Sequence, residues 1–353
     1  MNVALTQADK IIGHTAENPA VGCAIISSRQ KLVGVGHTIH KGRPHAERVA
    51  LEMAGDAASG GTAYVTLEPC AHHGATSPCA EALIAANIAR IVIGAHDPDS
   101  RVAGKGIALL KQAGLDVSVM EQRLASRQMA GFLSCQNKGR PFVFVKMATS
   151  FDGFIAARRD AQTWLTGPIA RRYVHDVRSR CDVILTSSGT IMADDPALNV
   201  RIDGWHLPQP SLAILDSEAR LPINAACLTA ERPVLLYHKQ GAQMKDWPAH
   251  VVPIALPSNE GVGLNLSSLL ADLQKRALGL VMVEAGARLF ASLNEAELID
   301  ELIWLRAPHR LETGLLAWQK EEDMDFHAPD TYIMTSTAQL GDDEVFLMHP
   351  ITQ

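Results

Sequence analysis

A handful of chemically distinctive residues, scattered along the first hundred positions, most constrains what this chain can fold into. His45-Ala46-Glu47 opens a helical pattern, Pro69-Cys70 follows the strand-like run Tyr64-Val65-Thr66-Leu67, and Cys79 begins a further helical pattern, Pro78-Cys79-Ala80-Glu81-Ala82-Leu83. One imidazole and two thiolates are enough for a catalytic zinc, which keeps three protein ligands and leaves its fourth position to water. Glu47 stands two residues past His45, where a carboxylate reaches that water without ligating the metal, the position of a proton shuttle. Ser77 as an N-cap and Pro78 as the first helical residue would put Cys79 where free amides lower a thiol pKa. A closed structural zinc with His72 or His73 as fourth ligand is the competing reading, and it gives Glu47 no task.

The segments that carry these residues read as two helix starts and a strand end. With 353 residues, and about 150 per domain, two domains are expected. The apolar runs Val21 to Ile26, Ala63 to Leu67 and Ala89 to Ile93 alternate with amphipathic stretches starting near Glu47, Pro78 and Lys105, the rhythm of an α/β sandwich. The polar string Cys135 to Pro141 precedes a new strand-like run, Phe142 to Met147, and reads as the linker. Beyond it, strand-like runs recur at Val183 to Thr186, Ser211 to Leu215, Val234 to Tyr237, Val251 to Ala255 and Leu280 to Val283. Helical patterns lie near Ile169 to Arg180 and Leu266 to Ala277, so this half is α/β again, and the stretch from Leu311 onward is the least legible.

Composition removes other classes. Hydrophobic residues make up 47% of the chain, too many for global disorder. The 32 basic and 38 acidic residues leave a net charge of -6 without a dense Lys/Arg cluster, which argues against a nucleic-acid partner. No apolar run reaches the roughly 18 residues that span a bilayer, and Met1 to Gly13 lacks a signal-peptide pattern. Six thinly spread cysteines suit a reducing compartment, so a cytoplasmic protein without membrane partners is expected; Cys23, Cys135, Cys181 and Cys227 read as small packing residues.

H-x-E followed by P-C-x-x-C is the signature of zinc deaminases, but here residues 71 to 78 separate the two cysteines. With that longer loop, Thr66-Leu67-Glu68-Pro69-Cys70-Ala71-His72-His73-Gly74 and Thr76-Ser77-Pro78-Cys79 closely resemble the bifunctional deaminase-reductase family of riboflavin biosynthesis. Asn18-Pro19-Ala20-Val21-Gly22 and Asp97-Pro98 with Val102-Ala103-Gly104-Lys105-Gly106 are similar to further strings of that family. The second half resembles its reductase through Lys146 to Gly153, Trp164-Leu165-Thr166, Leu185 to Thr190, Ala193 to Arg201, Leu215-Asp216-Ser217, Val283 to Gly286 and Ile299 to Leu302.

The resemblance implies a cytidine-deaminase-like α/β/α sandwich over residues 1–139 and a dihydrofolate-reductase-like α/β domain over 140–353. It implies zinc on His45, Cys70 and Cys79 with Glu47 catalytic, and Asn18 in the substrate-binding turn. It places Ala148, Trp164, Thr190, Asp194, Ser217 and Gly286 at NADPH, and Arg178, Leu198, Arg201 and Glu284 at a small-molecule substrate, a pyrimidine ribosyl phosphate. A homodimer follows from resemblance alone. Independently of the family, Glu284 to Arg288 joins a strand to a helical pattern through small residues, a turn that offers amides to a pyrophosphate.

The chain departs from the family at Thr38, Ala75, Ser77, Phe154 and Gln162. Ala75 and Phe154 replace basic residues expected to face the substrate phosphate, a loss of about 1.5 to 3 kcal/mol per contact, for which Lys41, Arg43, His72, Arg158 or Arg159 are candidate substitutes. Two other readings stay open: a zinc deaminase of another small nucleotide with a degenerate or regulatory C-terminal half, and a non-catalytic zinc-stabilised module.

Overall fold

The computed structural model describes residues 1–73, 77–99, 103–158, 164–259, 263–318 and 327–351. The chain divides into two compact units, Met1–Pro141 with Ala277–Gly279, and Phe142–Arg276 with Leu280–Gln353. The polar string read as a linker is largely helical. Helix Ala130–Lys138 runs through Cys135 and ends at Gly139, whose left-handed conformation (φ 65°) terminates it. Gln136 to Lys138 are polar because that last turn faces solvent.

The first unit is built on a five-stranded sheet in the order Leu32–His37, Gly22–Ile26, Thr62–Val65, Arg90–Ile93, Asp116–Val119. Gly22–Ile26 is antiparallel to both neighbours, and the last three strands are parallel. Strand periodicity then distributes the helices over two faces. Gly22 opposes His37 while Cys23 opposes Gly36, so Gly22 and Gly36 look to opposite sides of the sheet. A Cβ on Gly22 would lie 1.9 Å from the Ala4 carbonyl oxygen of helix Asn2–Asp9, and one on Gly36 would lie 2.4 Å from that of Ala46 in helix Ala46–Ala54. Only glycine lets the helices sit this close, and the close fit fixes helix Ala46–Ala54, which carries Glu47, against the sheet. Buried Ala46, Ala50 and Ala54 complete that small-on-small contact. Helices Cys79–Ala85 and Lys105–Gln112 extend the same layer, and Arg123–Gln128 packs beside Asn2–Asp9, giving the expected α/β/α sandwich.

The second unit is built on a nine-stranded sheet. Its order is Val251–Leu256, Val234–Lys239, Ser211–Leu215, Val183–Ser187, Leu280–Glu284, Phe142–Thr149, Glu301–Arg306, Asp343–Pro350, Tyr332–Leu340. The first seven strands are parallel and the last two form an antiparallel hairpin. Continuous apolar runs such as Val183 to Leu185 and Val281 to Val283 are wholly buried, as a parallel sheet covered on both faces requires. Two buried-edge carboxylates pin the central register: Asp182 accepts from the Leu280 amide at 2.8 Å and Asp300 from the Val143 amide at 2.8 Å.

The C-terminal stretch that sequence patterning leaves unread is this hairpin. Tyr332–Leu340 is almost entirely exposed, so no in-out alternation marks it. Asp343 of the hairpin accepts from the Gly167 amide at 2.7 Å and thereby anchors the start of helix Pro168–Arg178. Among the described residues no helix is long and apolar enough to cross a membrane.

Candidate active sites

In the first unit, His45, Cys70 and Cys79 come together. His45 is the residue just before helix Ala46–Ala54, Cys70 lies past the carboxyl end of strand Thr62–Val65, and Cys79 is the first residue of helix Cys79–Ala85. Their ligand atoms all lie within 4.8 Å of one another, with His45 Nδ1 at 3.7 Å from Cys70 Sγ and 3.4 Å from Cys79 Sγ. One nitrogen and two soft sulfurs converging this closely are the donor set of a three-ligand zinc with an open position. Glu47, 4% exposed, is buried beside them, and burial pushes its carboxyl upward from the ordinary value.

The capping differs from the sequence expectation for Cys79. Pro78 is the N-cap and Ser77 lies outside the helix, where its carbonyl and hydroxyl accept from the Arg48 guanidinium. The Cys79 amide donates to Cys70 Sγ at 3.3 Å, so the open helix end serves its neighbour's sulfur. Hydrogen bonds from Cys79, with help from His45, pull Cys70 down to about 4, toward the thiolate that zinc requires.

Sequence reasoning quoted Glu68 within a string but gave it no task. Its buried carboxylate accepts amides from Gly104 (3.1 Å) and Ile107 (3.1 Å), capping helix Lys105–Gln112. A Cβ on Gly106 would meet the Pro69 carbonyl at 2.0 Å, so this helix seats directly on the Pro69-Cys70 turn. Asn18 packs against the turn leading to His45: its amide nitrogen would lie 2.1 Å from a Cβ on Gly42, and its carbonyl accepts from the Thr15 hydroxyl at 2.6 Å. Thr38 is buried, accepting from the Val21 amide (3.0 Å) and donating to the Pro19 carbonyl (3.1 Å), a structural task. Gly74, Ala75, Thr76, Val102, Arg159 and Gln162 lie outside the described residues. Cys23, Cys181 and Cys227 are buried and Cys135 partly so; none of the six cysteines is in a disulfide.

In the second unit a cleft of about 1260 Å³ opens at the carboxyl ends of the parallel strands. Ala148, Trp164, Thr190, Asp194, Ser217 and Gly286 line it, as do Arg178, Leu198, Arg201 and Glu284. Arg178, at the end of its helix, grips Glu284 through both carboxylate oxygens, with Nη2 to Oε2 at 2.9 Å, and Nη1 reaches the Asn199 carbonyl at 3.1 Å. Both side chains are nearly enclosed, and although burial opposes it, Arg178 holds the Glu284 carboxyl below its usual range. Leu198 sits in a left-handed conformation (φ 48°), and Arg232 holds that loop by donating to the carbonyls of Leu198, Ala197 (2.9 Å) and Cys227 (3.3 Å).

Gly286, the N-cap of helix Ala287–Glu295, has no side chain to cap it, and the helix start lines the cleft, where among the described residues its first amides suit a pyrophosphate. Trp164 is 65% exposed over the cleft, with the Arg171 guanidinium 5.1 Å from its ring. These features fit a dinucleotide. Lys146, His175 and Arg232 had no assigned task in the sequence. Lys146 sits opposite Glu284 in the strand register, and burial lowers its pKa. Burial, then Arg178 and Arg201, bring His175 down to about 4, leaving it neutral to accept from the Arg201 amide at 3.2 Å. Phe154 pairs with Leu316 and is not among the cleft-lining residues, whereas Arg158 is.

A nucleotide-deaminase sandwich with an H-x-E zinc cluster, joined to a reductase of parallel α/β topology, defines a two-activity enzyme class. Residues 1–95 match the model of the cytidine and deoxycytidylate deaminase zinc-binding region, and residues 141–311 match the RibD C-terminal domain. The riboflavin biosynthesis protein RibD of Haemophilus influenzae is 40% identical over 309 residues, covering 84% of this chain and 82% of that protein. Its Escherichia coli counterpart is 40% identical over 313 residues, covering 84% and 83%. Among solved structures, Acinetobacter baumannii RibD superposes with a TM-score of 0.85 at 34% identity, covering 99% of this chain and 98% of that one. A Thermotoga maritima deaminase/reductase gives 0.87 at 27% identity, covering 99% and 97%. The chain belongs to the RibD family of bifunctional riboflavin-biosynthesis enzymes, with zinc and NADPH as cofactors.

Proposed function

We propose that residues 1–139 deaminate a diaminopyrimidinone ribosyl phosphate and residues 140–353 reduce the ribosyl group of the resulting aminouracil to ribityl. The convergence of His45, Cys70 and Cys79 within 4.8 Å beside buried Glu47 carries this reading. When bound, zinc supplies a water activated at neutral pH and NADPH supplies a hydride. His45, Cys70 and Cys79 hold the metal, and Asn18 positions the pyrimidine. The Glu47 carboxylate takes the proton of the attacking water and passes it to the amine nitrogen, which leaves as ammonia.

In the reductase, Ala148, Trp164, Thr190, Asp194, Ser217 and Gly286 seat the cofactor. Arg178, Leu198, Arg201 and Glu284 would bind and orient the sugar phosphate. Lys146, opposite Glu284 in the strand register and lining the same cleft, is the proton donor in this reading, and burial, which destabilises its ammonium, favours release although Glu284 opposes it. The balance of 32 basic to 38 acidic residues supports small molecules over nucleic acid as ligands. A cytoplasmic location is supported by six thinly spread cysteines, the absence of a membrane partner by the lack of an apolar run of about 18 residues, and a homodimer by family resemblance.

Dialysis against a chelator should abolish ammonia release, zinc should restore it, and NADPH oxidation with already deaminated substrate should persist throughout. Ammonia release that survives complete loss of zinc would contradict the assignment.

A further inference from the structure

We infer that Arg220 forms the subsite for the 2′-phosphate of NADPH, and so makes the reductase prefer NADPH to NADH. The inference rests on the reductase reading above and adds the residue that reads the phosphate. The order of strands beneath the cleft fixes the direction in which the dinucleotide lies. Lys146 and Ala148 belong to Phe142–Thr149, Glu284 ends its neighbour Leu280–Glu284, Thr190 follows Val183–Ser187, and Ser217 follows Ser211–Leu215. Hydride chemistry belongs with Lys146 and Glu284, on the first two of these strands, with Arg178 reaching Glu284 from the end of its helix. The uncapped helix start at Gly286 takes the pyrophosphate. The adenosine end therefore falls over Ser217, three strand spacings of about 4.8 Å each from Lys146.

Arg220 lines the cleft in the turn that follows Ser217, and its side chain is exposed there. The turn itself is fixed from below. The buried Asp216 carboxylate accepts from the Leu221 amide at 2.7 Å, and Lys245 Nζ donates to the carbonyls of Arg220 (2.8 Å) and Leu221 (2.6 Å). Other cations nearby are engaged: Arg178 by Glu284, Arg171 over Trp164, Arg201 by Asn199 and Lys239 by Glu218 (2.6 Å). Arg288 follows Gly286 and belongs with the pyrophosphate. Among the described residues the Arg220 guanidinium has no ion-pair or hydrogen-bond partner. A rigid turn presenting a guanidinium fork at the adenosine end suits a phosphate dianion, which NADPH carries and NADH lacks.

The test is calorimetric titration of the full zinc-loaded chain with adenosine 2′,5′-bisphosphate and with AMP, followed by kcat/KM for NADPH and NADH. Arg220→Gln should weaken the bisphosphate about ten- to a hundred-fold, leave AMP within about two-fold, and lower kcat/KM for NADPH but not for NADH. Arg288→Gln should weaken both nucleotides alike. Equal losses for both nucleotides in Arg220→Gln, or no loss for either, would overturn the assignment. A wild-type chain that binds both probes equally would also overturn it while leaving the reductase reading intact, whereas one that binds neither would remove the nucleotide cleft itself.

Discussion

Exchanging Glu47 for Gln will lower ammonia release by about 10²- to 10⁴-fold while leaving bound zinc unchanged. Gln keeps the shape of Glu and its hydrogen-bonding reach, so helix Ala46–Ala54 stays seated on Gly36 and the His45 ligand stays in place. What is lost is the ability to accept the proton of the attacking water and hand it to the leaving nitrogen. The comparison variant is Cys70→Ala, which removes a ligand atom and should lose zinc and activity together. A Glu47→Gln protein that retains full ammonia release, measured with zinc content verified, would reduce the cluster to a structural metal site.

The second large effect is expected at Glu284. Its carboxylate is the counter-charge for Arg178 and faces Lys146, both taken out of water. Removing one partner of a buried pair leaves an uncompensated charge and costs about 3 to 5 kcal/mol. Glu284→Ala should therefore lower the denaturation midpoint and abolish NADPH oxidation. Glu284→Gln preserves volume and an acceptor for Arg178, so it should recover much of the stability without recovering the reduction. Denaturant titration together with NADPH oxidation checks both; stability unchanged in Glu284→Ala would mean that the pair is solvated.

The zinc cluster was legible in the sequence because His, Cys and Glu in that order are chemically distinctive and need no knowledge of packing. What supports them was not. The contact of Gly36 with Ala46 and of Gly106 with Pro69 exists only once a helix lies on a strand, and neither glycine stands in a turn pattern. Glu68 looked like any carboxylate of a motif until the amides of Gly104 and Ile107 arrived from 36 and 39 residues away.

The parallel sheet was readable from its buried β-branched runs, but its order was not, and the order is what puts Lys146 beside Glu284. Arg178 and Arg201 entered through family resemblance, since a lone arginine carries no local signal of its ligand. The polar end of helix Ala130–Lys138 imitated a linker because a solvent-facing last turn has a linker's composition. The exposed strand Tyr332–Leu340 gave no pattern for the same reason: it has no buried face.

The most direct test of the two-activity account is a coupled assay on the purified zinc-loaded chain, given the diaminopyrimidinone ribosyl phosphate and NADPH. Ammonia release followed by NADPH oxidation, the second signal dependent on the first, is the predicted result. Ammonia without NADPH oxidation would contradict the reductase assignment, and the absence of both would contradict the substrate.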